Sequence, residues 1–182
     1  MNRSQNQVNL DYVLITLAAV LFSWTLHEFA HWVTGEVLGN KMVMTLNTCY
    51  PESGSYTKEW HEMVISAAGP VVTIIQALVF YFLLSAGSVK LFPFLLTCLY
   101  MRALAGAMNF INLNDEGRIS SDLGLGTFTL SIGVVSLLFY LTYRISKSYK
   151  LTAKLIVATI LLIMLFSSVV ILSDQALKIR IL

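Results

Sequence analysis

Five long apolar stretches dominate the pattern of hydrophobic and polar positions along the chain. A helix that crosses a lipid bilayer needs about 20 mostly apolar residues, and these stretches are of that order. The fourth is short, and the fifth is the most uniformly apolar and is typical of a lipid-facing anchor. The pattern predicts five transmembrane helices at residues 12–33, 63–84, 91–111, 128–143 and 155–172.

The connection between the first two predicted helices, residues 39–61, is the only long one. Residues 41–46 have the composition of a strand, and residues 54–57 follow a turn-rich stretch that contains Pro51. This pattern predicts a β-hairpin between helices 1 and 2. The fold class is therefore predicted to be an all-α integral membrane protein with about five helices, a single membrane domain over residues 1–182.

Composition narrows the range of functions. Hydrophobic residues make up 57% and charged residues 12% of the 182 residues, against about 45–50% and about 25% in a typical soluble domain. A disordered chain, a nucleic-acid binder with a basic face and an ordinary soluble enzyme are excluded. Cys49 lies in a polar loop and Cys98 in an apolar run, so neither a disulfide nor a cysteine metal site is expected.

Basic residues give conflicting information on orientation. Positive-inside logic places the loop between the fourth and fifth helices in the cytoplasm, with the N-terminus inside and the long hairpin loop outside. Lys178 and Arg180 would then lie outside, which favours the opposite arrangement. We expect a multi-pass protein of the cell membrane whose orientation the sequence does not fix. The basic residues of the loop between the fourth and fifth helices are Arg144, Lys147, Lys150 and Lys154.

The first predicted helix carries three ionisable residues, His27, Glu28 and His31. Ionisable groups inside a membrane are costly, so a functional role is the default interpretation. Their spacing is the H-E-x-x-H zinc signature. Residues four apart are separated by about 400° and about 6 Å on a helix, so both imidazoles can bind one ion. Glu28 can then take a proton from a zinc-activated water. The alternative is two structural histidines and a capping glutamate.

A catalytic zinc site needs a third protein ligand. Asp115, Glu116 and Asp122 follow the third predicted helix and are the main candidates, whereas His61 is a weaker one. These acids could equally form a solvated connection that caps the next helix. The residues alone leave the choice open.

Three sequence elements together resemble the site-2 protease family of intramembrane zinc metalloproteases. They are the His27–His31 motif, Ser66-Ala-Ala-Gly69-Pro70, and Asn109-Phe-Ile-Asn112 followed by Asp115-Glu-Gly-Arg118. The resemblance covers residues 12–120. The third element departs from the family pattern, because Asn112 stands where proline is usual and Glu116 separates the aspartate from the glycine.

The resemblance implies a set of roles. His27, His31 and Asp115 would bind Zn²⁺, with Glu116 as the main rival to Asp115, and Glu28 would be the general base. Asn109 or Asn112 would face the reacting carbonyl, although either could instead cap a helix. Residues 12–120 would form a three-helix metalloprotease core and residues 121–182 two accessory helices. The implied partners are a transmembrane protein substrate and the lipid bilayer, and no nucleic acid.

Two further features predict contacts around this site. Arg102, in the middle of the third predicted helix, needs a buried carboxylate or a wet cavity, and Asp115, Glu116 and Glu36 are its candidate partners. Pro70 is expected near the start of the second helix, after small residues that allow close helix packing. By analogy with the family, the 41–57 hairpin would pair with an extended substrate strand.

Two other functions fit the sequence. One is a zinc peptidase that acts on short or lipidated peptides. The other is a catalytically silent relative that binds a membrane partner or a metal. The intact Glu28 favours an enzyme, because simple metal binding needs no base.

Overall fold

The computed structural model describes residues 8–87 and 89–182, which are mostly helical. A 3₁₀ turn, Val89–Leu91, precedes α3, and two short strands follow α1. The elements in chain order are α1 (Leu10–Val37), β1 (Met42–Met44), β2 (Cys49–Pro51), α2 (Glu59–Ala86), α3 (Phe92–Met108), α4 (Asp115–Asp122), α5 (Thr129–Ser148) and α6 (Ala153–Leu177).

All five long helices predicted from the apolar pattern are present. α1, α2, α3 with its preceding turn, α5 and α6 are each long and apolar enough to cross a membrane. α1, α2 and α6 extend beyond the predicted limits at both ends, and α5 at its C-terminal end, because helical hydrogen bonding continues into polar residues past the apolar run. α3 instead ends at Met108, three residues before its predicted limit. Side-chain caps fix two of the starts: Asn9 accepts a hydrogen bond from the backbone N of Tyr12 at 3.0 Å, and Thr152 accepts one from Leu155 at 3.2 Å.

The expected position of Pro70 in its helix is wrong. α2 begins at Glu59, before the apolar run, so Pro70 lies well inside it. Proline has no N–H, so the carbonyl of Ser66 loses its helical partner. A local weakening of the helix therefore lies beside the residues that pack on the histidine motif.

The predicted hairpin is present, with one strand displaced. β1 lies within the predicted first strand and pairs antiparallel with β2, in the register Val43 opposite Tyr50. Residues 54–57 form no strand. The chain reverses earlier than expected because Thr45 and Thr48 already close the turn, with a backbone hydrogen bond of 2.9 Å.

The C-terminal part of the chain holds this hairpin from the other side. Met44, in β1, donates to Leu182 O at 3.0 Å and accepts from Ile181 N at 2.8 Å. In α6, Asp174 accepts from Leu46 N at 2.9 Å and from Thr45 Oγ1 at 3.0 Å. The outer edge of β1 is therefore occupied by the chain's own backbone.

Polar side chains link the long helices where they cross. Gln76 donates to Ser23 Oγ at 2.6 Å, which joins α2 to α1. Trp24 Nε1 donates to Ser167 Oγ at 3.2 Å and Tyr12 Oη lies 2.8 Å from Thr159 Oγ1, and both join α1 to α6. Such bonds are worth roughly 0.6–2 kcal/mol between membrane helices. One apolar cluster also runs through all five helices and includes Val20, Ala77, Leu95, Leu138 and Ile163.

These contacts define two ends of the bundle. The Tyr12–Thr159 contact and a hydrogen bond from Tyr149 to the Leu84 carbonyl mark one end. The hairpin, α4 and the C-terminal residues mark the other. His27 lies about 26 Å along α1 from Leu10 and about 15 Å from Val37, on the hairpin side of the helix midpoint.

Candidate metal centre

Two histidines and one aspartate meet between α1 and α4. His27 and His31 lie on one face of α1, and their Nε2 atoms are 3.2 Å apart. Asp115 is the first residue of α4, and its Oδ2 lies 3.3 Å from His27 Nε2 and 3.5 Å from His31 Nε2. All three side chains are largely buried. These three side chains, called the metal group, could together hold one metal ion.

The turn between α3 and α4 brings Asp115 to the histidines. Asn109 is the C-cap of α3, and its Oδ1 accepts a hydrogen bond from Asn114 N at 2.7 Å. Its Nδ2 donates to Ser131 Oγ in α5 at 3.1 Å. Gly117 packs so closely on the Asn109 side chain that a Cβ there would overlap it. Asn109 therefore fixes the start of α4 and does not face the metal group.

The hydrogen bonds at Nδ1 determine which nitrogen of each imidazole is free. His31 Nδ1 lies 2.6 Å from the carbonyl oxygen of Ile65, which can only accept, so Nδ1 carries the proton. Thr73 donates its own proton to Gly69 O at 2.9 Å, so it accepts from His27 Nδ1 at 3.1 Å. In its neutral form each imidazole therefore presents the lone pair of Nε2 to the other ligand atoms.

With both imidazoles neutral, three electron-pair donors converge here. Without a cation they would repel one another, and within the described residues only Arg102 donates to any of the three atoms. The edges of a tetrahedron with 2.0–2.1 Å metal–ligand bonds are about 3.3–3.4 Å long. The observed separations of 3.2, 3.3 and 3.5 Å match these edges. Two imidazole nitrogens and one carboxylate oxygen also suit zinc.

Gly69 lets α2 come close to the metal group. A Cβ at this position would overlap the rings of both His27 and His31. The Ser66–Pro70 element therefore acts by helix packing, as the sequence suggested. Thr73 lies one turn further along α2, and its contact with His27 depends on this close approach.

Glu28 is placed between two cavities. The first, here called the polar cavity, has a volume of 190 Å³ and is lined by His31, Ser66, Asp115 and Arg118 among others. The second, the helix cavity, has a volume of 350 Å³ and lies between α1, α3 and α6. Glu28, Asn47, Thr48 and Asn114 line both cavities.

The carboxylate of Glu28 is free to act on a molecule in either cavity. The residue is only 5% exposed. Within residues 8–87 and 89–182, its carboxylate makes no hydrogen bond or ion pair. A base in this position can meet water from the polar cavity and a substrate group from the helix cavity.

Arg102 finds the carboxylate that its position requires. Its Nη1 lies 3.0 Å from Glu116 Oε1 and 3.6 Å from Asp115 Oδ2, and its Nη2 lies 3.3 Å from His27 Nε2. Glu36, the other candidate, instead accepts from Met42 N at 2.7 Å. Glu116 therefore pairs with Arg102, and Asp115 is the acid beside both histidines.

The remaining candidates from the sequence lie away from the metal group. Asp122 is exposed at the end of α4, and Asn112 is exposed in the α3–α4 connection. His61 is buried at the start of α2, where its Nδ1 lies 3.1 Å from Asn40 Nδ2 and 3.0 Å from Thr57 Oγ1. The structure brings none of these three residues to the histidines.

Sequence reasoning missed Thr73, Asn47 and Asn114. Thr73 follows Gly69 by four residues, so helical spacing alone could have placed it on the face that packs against α1. Asn47 and Asn114 lie in turns, and nothing in their local sequence indicates that they border Glu28.

Cys49 also lines the polar cavity, but its thiol is not a candidate ligand. Burial raises the pKa of Cys49 to about 12, and the thiolate is the form that binds metals. The sulfur is not part of the metal group formed by His27, His31 and Asp115.

Comparison of the chain with protein-family models, with curated proteins and with solved structures finds no match in any of the three. What the chain does must therefore be inferred from its own residues.

Proposed function

We propose that this chain is a multi-pass membrane zinc metalloprotease that hydrolyses peptide bonds of membrane-embedded protein substrates. The observation that carries the proposal is the convergence of His27 Nε2, His31 Nε2 and Asp115 Oδ2 at tetrahedral spacing, with the Nδ1 atom of each imidazole held by an oxygen acceptor. The function agrees with the resemblance to site-2 proteases seen in the sequence.

The outer faces of the long helices support a location in the membrane. Large apolar side chains on α2, α5 and α6 point away from the bundle and are more than half exposed. In water such a surface would be a strong aggregation site, whereas in a bilayer it meets lipid. These outward-facing side chains include Phe82, Ile132, Phe139, Leu161 and Leu172. We expect the cell membrane as the location.

The residues of the site suit hydrolysis. Zinc held by the two histidines and Asp115 would polarise a peptide carbonyl and lower the pKa of a water molecule towards 7. Glu28 would take the proton from that water and pass it to the leaving amine. Its open carboxylate beside the polar cavity supports this role.

The volume of the helix cavity favours an extended substrate. An α-helix with its side chains is about 10–12 Å wide, too wide for a cavity of 350 Å³ that is lined by three helices. A few residues of unwound chain would fit. A transmembrane substrate would therefore unwind locally before cleavage.

The hairpin offers one edge to such an extended segment. Hydrogen-bonded pairs alternate with non-bonded pairs in an antiparallel ladder. Thr45 bonds Thr48 and Lys41 bonds Glu52, so the Met44–Cys49 pair points its backbone groups outward. Met44 is occupied by the C-terminal residues. The backbone N–H and C=O of Cys49, which lines the polar cavity, are therefore available to a substrate strand that pairs with the outer edge of β2.

The experiment uses purified full-length protein in lipid vesicles. Wild type should hold one zinc per chain and cleave a transmembrane peptide. Asp115→Ala should lose the zinc, whereas Glu28→Gln should keep it and lose cleavage. Asp122→Ala, in the same short helix but exposed, is the matched control and should behave as wild type. Zinc-free wild type, or zinc without any peptide hydrolysis, would refute the proposal.

One observation favours a second candidate, the catalytically silent relative. Arg102 already places a positive charge at 3.3 Å from His27 Nε2, which offsets part of the repulsion between the ligand atoms. A silent relative that binds a membrane partner and no metal would contain no zinc after purification and would gain none on addition. Zinc content distinguishes this form from the enzyme, and peptide hydrolysis distinguishes the enzyme from a silent relative that holds zinc.

A further inference from the structure

Hydrolysis of a peptide needs a donor that stabilises negative charge on the carbonyl oxygen. The asparagines suggested by the sequence do not supply it. Asn109 uses its amide to hold Asn114 and Ser131, and Asn112 is exposed outside the site. Asn114 lines both cavities, but Ala105 O holds one of its two Nδ2 protons at 3.3 Å, and a neutral amide is a weaker donor to an oxyanion than a guanidinium.

Among the residues that the structure describes, Arg102 is the cationic residue that contacts a histidine of the ligand group, whereas Arg118 donates to the other oxygen of Asp115, Oδ1, at 3.1 Å. Arg102 is 3% exposed and lines the helix cavity together with His27 and Glu28. Its two terminal nitrogens lie along one edge of the ligand triangle, 3.3 Å from His27 Nε2 and 3.6 Å from Asp115 Oδ2. The guanidinium therefore borders the place where a peptide carbonyl must approach the metal group.

The geometry points to Arg102 as a catalytic residue that donates hydrogen bonds to the oxyanion formed during peptide hydrolysis. This role rests on the proposed function. The water oxygen bonds to the carbonyl carbon, the π electrons move to the carbonyl oxygen, and the proton goes to Glu28. Arg102 binds the charged oxygen until the C–N bond breaks and the proton reaches the leaving nitrogen. Donors aimed at developing charge are among the strongest contributors to catalysis.

Glu116 is the positioning residue for this guanidinium. Its Oε1 lies 3.0 Å from Arg102 Nη1, and the side chain is 2% exposed. The pair is incompletely satisfied, because Arg102 Nε and Glu116 Oε2 are buried without a hydrogen-bond partner among the described residues. Glu116 also balances the arginine charge beside a metal cation, where an unpaired guanidinium would weaken metal binding.

The test compares zinc-loaded wild type with Arg102→Met, Arg102→Lys and the charge-balanced double variant Arg102→Met/Glu116→Gln. Zinc content, kcat and KM are measured, together with the affinity for a phosphinic peptide that mimics the tetrahedral oxyanion. Arg144→Met is the matched control, because Arg144 is exposed on α5 and its side chain bonds Tyr140.

We expect each methionine variant to retain zinc and to lose about 10²- to 10³-fold in kcat, the loss typical of a removed oxyanion donor. KM should change only a few-fold, and affinity for the phosphinic peptide should fall in parallel with kcat. Arg102→Lys should recover part of both, and Arg144→Met should match wild type. The double variant keeps the test valid if the single methionine variant does not fold.

Three results would overturn the role of Arg102. Wild-type kcat in the double variant is one, and phosphinic-peptide affinity that does not fall with kcat is another. Loss of zinc from the methionine variants is the third, because the missing metal would then explain the lower kcat and Arg102 would only position the ligands. In each of these cases, cleavage of the peptide by wild type would still support the proposed function. Wild type that hydrolyses no peptide refutes the proposed function, and the role of Arg102 with it.

Discussion

The hydrogen bonds behind the two histidines determine which imidazole nitrogens the candidate metal site can use. A pair of imidazoles four residues apart can bind a metal only if both present a lone pair, and each residue has two tautomers. The carbonyl of Ile65 selects the tautomer of His31, and Thr73 selects that of His27. Such supporting contacts usually matter almost as much as the ligands themselves.

Replacing Thr73 tests this support directly. Thr73→Val keeps the shape of the side chain but removes the acceptor for His27 Nδ1–H, so zinc affinity should fall about 10- to 100-fold. Thr73→Ser keeps the hydroxyl and should bind zinc as wild type does. Competition with a chelator measures the affinity. Equal affinities in the valine and serine variants would show that Thr73 does not orient His27.

Gly69 provides a steric test at the same site. Gly69→Ala should remove zinc binding because the new Cβ overlaps both imidazole rings. The control is Gly133→Ala in α5, where the added Cβ meets no atom within 4 Å and helix propensity should improve by about 1 kcal/mol. Zinc content and thermal unfolding of the two variants give the comparison. Full zinc content in Gly69→Ala would contradict the close packing of α2 on the site.

Among the elements, the hairpin depends on α6 for its position. Its turn residues Asn47 and Thr48 border Glu28, and Asp174 bonds the preceding two residues of the turn. An isolated two-stranded hairpin is at best marginally stable. α6 therefore does more than anchor the chain, since it holds the hairpin over the candidate site.

Asp174→Ala should release this turn without disturbing the metal ligands. Hydrogen exchange at residues 44–50 should become faster, and KM for a transmembrane peptide should rise, while zinc content stays at the wild-type level. Asp122→Ala is again the control for loss of an acidic side chain. Unchanged exchange at these amides would mean that the hairpin is held by other contacts.

Across the whole molecule, the sequence predicts best what depends on local pattern. Apolar length predicted the five long helices, and turn composition predicted the hairpin. Apolar length also misplaced Pro70, because α2 starts in the polar residues before its apolar run. The second strand was misplaced because a threonine pair closes the turn before the Pro51–Gly54 region.

The candidate site likewise combines residues that a local pattern indicates with contacts that only helix packing creates. Spacing on one helix indicated His27, Glu28 and His31, and the resemblance singled out Asp115, which the structure places beside both histidines. The sequence left three partners open for Arg102, and only helix packing distinguishes Glu116 from the others. The engagement of Asn109 with Ser131 and Asn114 likewise joins separate elements, which no local pattern reports.

X-ray absorption at the zinc edge of the purified wild-type protein tests the central claim most directly. We predict one zinc per chain, bound by nitrogen and oxygen atoms at about 2.0–2.1 Å with an imidazole signature and no sulfur. The same signal should be lost in Asp115→Ala. Absence of zinc from the wild type, or a sulfur ligand in its first coordination shell, would contradict a site made by His27, His31 and Asp115.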